Sequence, residues 1–547
     1  MHVGLPSRHV LAILLLSTLA SVTPARAADV PARIPGVRAA VDVTVMDLDV
    51  IATGKDGRNV PDLTRAEISV TVDGKHLPLD YFARVEAGQL HGPDLATASP
   101  DFILETTAAG PDRYVPRQFL VFFDDEHLLP SDRKRVLEGL RDFVTRLSPS
   151  DSMAILSYNV SSHVITPFTN SKESLLEGLS RLEKIAPRGL FWDSQYRQDL
   201  GLARRQRRRS SADAIIRSYS EQIRSREKGT LDELRRAFAA LAARSGKRVA
   251  FWVSSGIELR PGQTLAQALS TNSLSQFDYT LAGEYQAAVA EANRSGITVH
   301  AFDARGLATD VDASEAEAPV VSPFLADANR REALAGLAEE TGGIFVVNHN
   351  TFSRSLERIY QESASYYSIG VTLTALDQKK TDHSVRVTTT RPGVTLRTRR
   401  GYGAKTADAS AGDRMELALV TPDASGEFPV SLAIGPPKKG GGIGRRISPF
   451  KVSVPLSAFN FLDDSGRKKA VVDIALAAVE DNGARSNAVP DRKTILVDAA
   501  ALAKAGEEPF VYEGEVKSRK GNMRFVATVR DVSTNRIGIG SASVRVE

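Results

Sequence analysis

The feature that most constrains the fold of this 547-residue chain is a run of five apolar residues at 119–123, which ends in Asp124 and Asp125. An uninterrupted apolar run of this length is typical of a strand buried on both faces of a parallel sheet. A helical pattern follows it, and strand and helix patterns then alternate up to residue 365. This alternation predicts an α/β domain with a doubly wound parallel sheet and right-handed crossovers.

The strands predicted for this sheet are short apolar runs that lie between helical segments. They are residues 119–123, 153–158, a short strand near Val164, and residues 249–253, 297–302 and 344–347. A polar, arginine-rich insertion lies between Gly189 and Gly229. We expect a new helix to begin after it, because residues 230–233 match a capping box.

Strand patterns on both sides of this domain predict two further β units. Residues 41–86 alternate apolar and polar side chains around two turn signals, and the chain beyond 404 reads as short strands separated by turn residues. The predicted division is a signal peptide at 1–27, an N-terminal β unit with a connector at 28–115, the α/β domain with its insertion and closing strands at 116–404, and a β-sandwich at 405–547.

The first 27 residues are typical of a secretory signal peptide. Arg8 and His9 precede an apolar run that is too short to span a bilayer, and Ala25-Arg26-Ala27 gives a small-x-small cleavage site. We therefore expect a secreted or periplasmic protein without membrane insertion after cleavage. The absence of cysteine excludes disulfides and thiolate chemistry. No aromatic residue interleaves the arginines at 204–209, which argues against nucleic-acid binding.

Several segments, taken in order, resemble the von Willebrand factor A-related (VWA-related) proteins of the Acidobacteria type. They are residues 72–75, the strand that ends at Asp124, residues 248–256, residues 296–307, and Tyr366-Tyr367 before the closing strands. The resemblance covers residues 41–403. It implies a Rossmann-like A domain, an Ig-like C-terminal sandwich and a secreted multidomain protein, in a superfamily whose members usually bind proteins.

The same resemblance implies a divalent-cation site at the carboxyl end of the first strand, with the motif Asp-x-Ser-x-Ser, a loop Thr, and an Asp after the fourth strand. Asp124, Glu126 and Leu128 stand at the motif positions, segment 188–193 has no Thr, and Ser255 replaces the later Asp. So few oxygen ligands favour a degenerate site, whose acids cap a strand end and a helix N-terminus. The alternative is a remodelled site for Mg²⁺, Ca²⁺ or Mn²⁺, with Asp124 and Glu126 as candidate ligands.

We expect a non-enzymatic, adhesion-type protein that binds a protein or cell-surface partner through the crevice at the strand ends. The candidate binding residues are Asp124, Asp125, Glu126, Asp193, Ser254 and Ser255. One alternative is a metal-dependent hydrolase in which Asp124, Asp125, Glu126 and His127 hold an activated water. A second is a structural envelope component without a discrete ligand. His127 itself reads as an exposed loop histidine without a role.

Overall fold

The computed structural model describes residues 44–91, 114–206, 209–269, 279–306, 323–349, 351–373, 381–440, 445–464, 466–499 except 482, 484 and 489, then 502 and 508–547. The predicted signal peptide and most of the predicted connector lie outside these residues. Within the described part of the chain, no helix is long and apolar enough to cross a membrane.

Five strands of the described residues precede the central sheet in the chain. They are β1 (Thr44–Thr53), β2 (Ile68–Val72), β3 (Lys75–Leu77), β4 (Tyr81–Glu86) and β5 (Gln89–His91). The strands of the central sheet are β6 (Arg117–Asp124), β7 (Ser152–Asn159), β8 (Ser161–Thr169), β9 (Lys247–Ser254), β10 (Ile297–Asp303) and β11 (Phe345–Val346). Its helices are α1 (Pro130–Arg146), α2 (Lys172–Glu183), α3 (Gly189–Arg205), α4 (Arg209–Ala242), α5 (Gln263–Ala268), α6 (Ala282–Arg294), α7 (Pro323–Glu340) and α8 (Ser353–Ala364).

The prediction of an α/β domain with a parallel sheet is confirmed. The strands lie in the order β11-β10-β9-β6-β7-β8, and every neighbouring pair is parallel except β7 and β8. Val160, with a φ of 65°, is the single residue between these two strands. A connection this short can form a hairpin turn but not the much longer crossover that a parallel pair needs. The edge strand β8 is therefore antiparallel.

Both faces of the sheet are covered by helices. Successive side chains of β6 point to opposite faces, and each set packs against a different group of helices. Phe119, Val121 and Phe123 pack with apolar residues of α1, α2 and α8. Leu120 and Phe122 pack with those of α4, α6 and α7. The strand ends are thus held between two apolar layers, which fixes the position of any side chain that follows β6 or β9.

The strands before and after the α/β domain belong together. The closing strands are β12 (Tyr366–Leu373), β13 (His383–Thr389), β14 (Thr395–Arg397) and β15 (Gly401–Tyr402). They complete two sheets with the first strands, in the orders β14-β1-β12-β4-β5 and β15-β13-β2-β3. The two sheets share an apolar core that includes Leu48, Val70 and Ile369. The predicted division at residue 115 therefore differs from the structure, in which the α/β domain is inserted into an N-terminal sandwich.

The chain beyond 404 begins with a helix, α9 (Ala407–Val420), and the prediction of an all-β segment there was wrong. Thr406 caps the helix by accepting a hydrogen bond from the Ala409 amide, and Met415 and Leu419 pack against the following sheet. The later strands form two further sheets around a common core. They are β16 (Ser431–Ile434), β17 (Lys438–Lys439), β18 (Arg445–Pro455), β19 (Leu462–Asp464), β20 (Arg467–Glu480), β21 (Asp491–Asp498), β22 (Pro509–Arg519), β23 (Gly521–Asp531) and β24 (Ile537–Val546).

Candidate functional site

The site at the strand ends is built on Asp124, the last residue of β6. Its carboxylate is fully buried, and Ser254 Oγ, at the end of β9, donates a hydrogen bond to its Oδ2 at 2.7 Å. The two strands are parallel neighbours, so their carboxyl ends meet at the same edge of the sheet. The topology alone therefore brings Asp124 and Ser254 together.

His127 lies at the centre of the site. Its Nδ1 lies 2.7 Å from Asp124 Oδ2, and its Nε2 lies 2.7 Å from Glu227 Oε2 on α4. The contact with Glu227 is an ion pair between two buried side chains. The His127 side chain is only 5% exposed, so the expectation of an exposed loop histidine was wrong. Helix α4 of the insertion covers this loop and buries the ring.

The two carboxylates control the charge of His127. Burial lowers the pKa of His127, but Asp124 and Glu227 outweigh it and raise that pKa to about 9. Burial raises the pKa of Glu227, but Arg226 and His127 outweigh it and lower that pKa to about 2. At neutral pH the site therefore holds an imidazolium between two carboxylates.

Glu126 is bound by Arg188 and by Trp192 of α3. It accepts hydrogen bonds from Arg188 Nη1 at 2.9 Å and from Trp192 Nε1 at 2.7 Å. Trp192 lies in the first turn of α3. A Cβ at position 189 would lie only 2.5 Å from the Leu128 carbonyl oxygen, which is too close. Gly189 has no Cβ, so the helix can begin this close to the end of β6. Glycine therefore permits α3 to close over the site.

The remaining predicted residues lie around the same edge. Asp125 Oδ2 accepts hydrogen bonds from Arg133 at 3.0 Å and from Ser157 at 2.5 Å. Burial raises the pKa of Asp125 to about 6, against the opposing effect of Arg133. Ser255 is buried, and Asp193 is half-buried on α3. These two side chains line the space that remains between the insertion and the strand ends.

That space is a cavity of about 40 Å³, with room for a few water molecules but not for a partner's side chain. A crevice that binds a partner was predicted here. Instead α3 and α4 lie across it, and Asp124, Glu126 and Ser254 are buried. A partner that approaches this end of the sheet meets the insertion rather than the acids.

The acids at the strand end already have cations of their own. His127 binds Asp124, Arg133 binds Asp125, and Arg188 binds Glu126. Among the residues that the structure describes, no group of three or more His, Asp or Glu side chains is arranged to hold a metal ion. A metal ion at this edge would have to displace one of these internal cations.

The raised pKa of His127 predicts that stability depends on pH. The pKa is about 9 in the folded protein and near 6.5 in the unfolded chain, so the stabilisation is full below pH 6.5 and is lost as the pH rises to 9. The shift corresponds to about 3 kcal/mol. Urea unfolding from pH 6 to 9.5 should show the difference between wild type and His127→Gln shrinking as pH rises. His76→Gln, at an exposed histidine on β3, is the matched control, and a constant His127→Gln difference would contradict the assignment.

No protein-family model matches the chain, and no curated protein matches it. Solved structures do show similarity. An aerotolerance-related membrane protein from Bacteroides fragilis is 14% identical, with a TM-score of 0.24, over 46% of this chain and 98% of its own.

Two further structures span more of the chain. A protein described as von Willebrand factor type A from Catenulispora acidiphila is 9% identical, with a TM-score of 0.22, over 92% of this chain and 74% of its own. The manganese-loaded TRAP protein of Plasmodium vivax is 9% identical, with a TM-score of 0.24, over 59% of this chain and 98% of its own. At these scores the similarities do not establish a family.

Proposed function

We propose that this chain is an exported, non-enzymatic binding protein with a VWA-type α/β domain, in which His127 takes the place of the metal ion. The observation that carries the proposal is the His127 ring, 2.7 Å from both the Asp124 and the Glu227 carboxylate. By the sequence resemblance, Asp124 stands at the first ligand position of the family's cation site. A side-chain cation beside it would make recognition independent of dissolved metal.

The recognition surface in this proposal is the apolar patch formed by Leu190 and Phe191 at the start of α3. These side chains are 58% and 52% exposed, and the Arg188 guanidinium lies 5.1 Å from the Phe191 ring centroid. Aromatic residues and arginines are enriched in protein interfaces and among their energetic hot spots. Arg188 also holds Glu126, which ties the apolar patch to the site below. The proposed partner is a protein of the envelope or cell surface.

The chemistry of the site disfavours the hydrolase alternative. A general base must be unprotonated at the working pH, whereas the two carboxylates keep His127 charged at neutral pH. A substrate would also have to enter a cavity of about 40 Å³. The envelope-component alternative is decided by whether a stoichiometric partner exists.

The test is affinity capture with the mature, tagged protein from the envelope fraction of its own cells. We expect one stoichiometric partner, retained equally in EDTA and in Mg²⁺. The double variant Leu190→Ser/Phe191→Ser should lose it, because the apolar patch is removed. Leu496→Ser is the matched control, since it changes a 48% exposed leucine on β21.

Three results would each contradict a different part of the proposal. A partner that is released by EDTA would overturn the metal-free mechanism. Capture that survives Leu190→Ser/Phe191→Ser would place recognition on another surface. The absence of any stoichiometric partner would favour a structural envelope component.

A further inference from the structure

A second, larger cavity of about 690 Å³ lies at the opposite end of the central sheet, where the parallel strands begin. Its walls come from the start of β9 and β10, from β1, β12 and β14 of the N-terminal sandwich, and from α9. A volume of this size is typical of small-molecule sites, which favour the boundaries between structural units. We call it the basic cavity.

Positive charge dominates its lining. Eight arginine and lysine side chains face it, against three aspartates. Several of these cations are paired with carboxylates in or beside the cavity. The pairs are Lys247 with Asp49, Arg294 with Asp382, Arg397 with Glu362, and Lys405 with Asp413.

Three arginines of the lining have no such pair. Within the described residues, no carboxylate lies at ion-pair distance from Arg244, Arg399 or Arg414. Arg399 donates to the carbonyl oxygens of Asn293, at 2.8 Å, and Asp47, and its buried Nε has no partner. Arg244 Nε donates only to a neutral amide oxygen at 3.1 Å. These guanidinium groups keep donor capacity and uncompensated charge.

The surroundings make that charge unfavourable. Burial, and then the nearby Arg414, lower the pKa of Arg244. Burial also lowers the pKa of Arg399, although Asp49 and Asp47 act in the opposite direction. An anion in the basic cavity would relieve both effects, because electrostatic interactions are stronger away from bulk water.

We propose that the basic cavity binds a small phosphate-type oxyanion with at least two negative charges, through Arg244, Arg399 and Arg414. The planar fork of a guanidinium matches two oxygens of a phosphate, and its hydrogen bonds to an anion are about twice as strong as neutral ones. The anion is either inorganic or attached to a small organic molecule, for which the volume leaves room. This site is independent of His127 and of the apolar patch.

The proposal is tested by isothermal titration calorimetry of the mature full chain at low ionic strength. The probes are inorganic pyrophosphate and glucose 6-phosphate, and we expect one saturable site. Arg414→Gln and Arg244→Gln should each weaken binding about tenfold or more. Arg414 is half-exposed and makes no hydrogen bond to the described residues, so Arg414→Gln should fold normally, which circular dichroism checks. Arg386→Gln, an exposed arginine on β13, is the matched control.

Two results would overturn the proposal. One is the absence of saturable binding with both probes, and the other is equal weakening by Arg386→Gln, which would reveal general charge attraction. Tighter binding of glucose 6-phosphate supports an organic phosphate as the ligand, and tighter binding of pyrophosphate supports an inorganic one. Arg399→Lys keeps the charge but removes the fork, so weaker binding by this variant supports bidentate recognition.

Discussion

His127→Ala should lower the free energy of unfolding at pH 7 by about 3–5 kcal/mol, as measured by urea denaturation. The substitution removes the imidazolium that lies between Asp124 and Glu227, both of which are buried. Asp124 then loses its ion pair with His127, and Glu227 keeps its ion pair with Arg226. The loss is large because a buried charge without its partner is costly, and the space left by the ring adds to it.

The control for this prediction is His76→Ala, an exposed histidine on β3, which should cost less than about 0.5 kcal/mol. A second readout separates lost packing from lost charge. If His127 takes the place of a metal ion, the Asp124, Glu227 and Ser254 oxygens of His127→Ala should gain affinity for Mg²⁺, Ca²⁺ or Mn²⁺, and the metal should raise the melting temperature of the variant alone. An equal response in wild type and variant would refute that role.

Arg485→Ala should cost a similar amount, about 3–5 kcal/mol. Arg485 lies in the connection between β20 and β21, and its side chain is 1% exposed. It pairs with Glu416 of α9 at 2.9 Å, pairs with Glu233 of α4, and donates to Ser162 of β8 at 2.9 Å. The Arg485 guanidinium thus joins the C-terminal sheets to the α/β domain. Its removal leaves the two carboxylates with only the longer contacts of Arg236, at 3.5 and 3.6 Å.

Scanning calorimetry measures both the loss and its location. We expect the C-terminal sheets of Arg485→Ala to melt in a separate transition at a lower temperature. Arg492→Ala is the matched control, because Arg492 also binds a carboxylate, that of Asp473, but its side chain is 59% exposed. That change should cost at most about 1 kcal/mol. A single, unshifted transition for Arg485→Ala would show that the two parts are held together by other contacts.

Local patterns predicted the central sheet well and the strand pairing around it poorly. The apolar runs at 119–123, 249–253 and 297–302 all became buried strands, because a parallel sheet demands apolar residues on both faces. The pairing of β1 with β12 joins residues more than 300 positions apart, and no local pattern encodes such a partner. Helix α9 was missed because its buried apolar residues, Met415 and residues 417–420, form a nearly continuous run at its end and show no helical spacing.

Part of the candidate site could be predicted from local patterns and part could not. Asp124 and Ser254 follow neighbouring parallel strands, so topology placed them together. Glu227 was missed because Thr230 was interpreted as a helix start, whereas α4 runs through it without a break. A signal was nevertheless present, since apolar residues at helical spacing lie on both sides of Glu227. They are Ile216, Tyr219, Ile223, Leu231 and Leu234.

The insertion of the α/β domain into the N-terminal sandwich also sets an order of events during synthesis. Strand β1 is synthesised early, but its partner strand β12 is synthesised more than 300 residues later, since Thr44 pairs with Leu373. Until β12 is made, Met46, Leu48 and Val50 do not pack against its apolar side chains. The unpaired edge of β1 can then pair with strands of other chains. The inserted domain is continuous in sequence and can fold meanwhile, which brings Val115 and Tyr366 together at its base. Once the inserted domain has folded, strands β12 to β15 lie close to β1 to β5 and can pair with them. A chain truncated before residue 366 lacks these late strands and is therefore expected to aggregate.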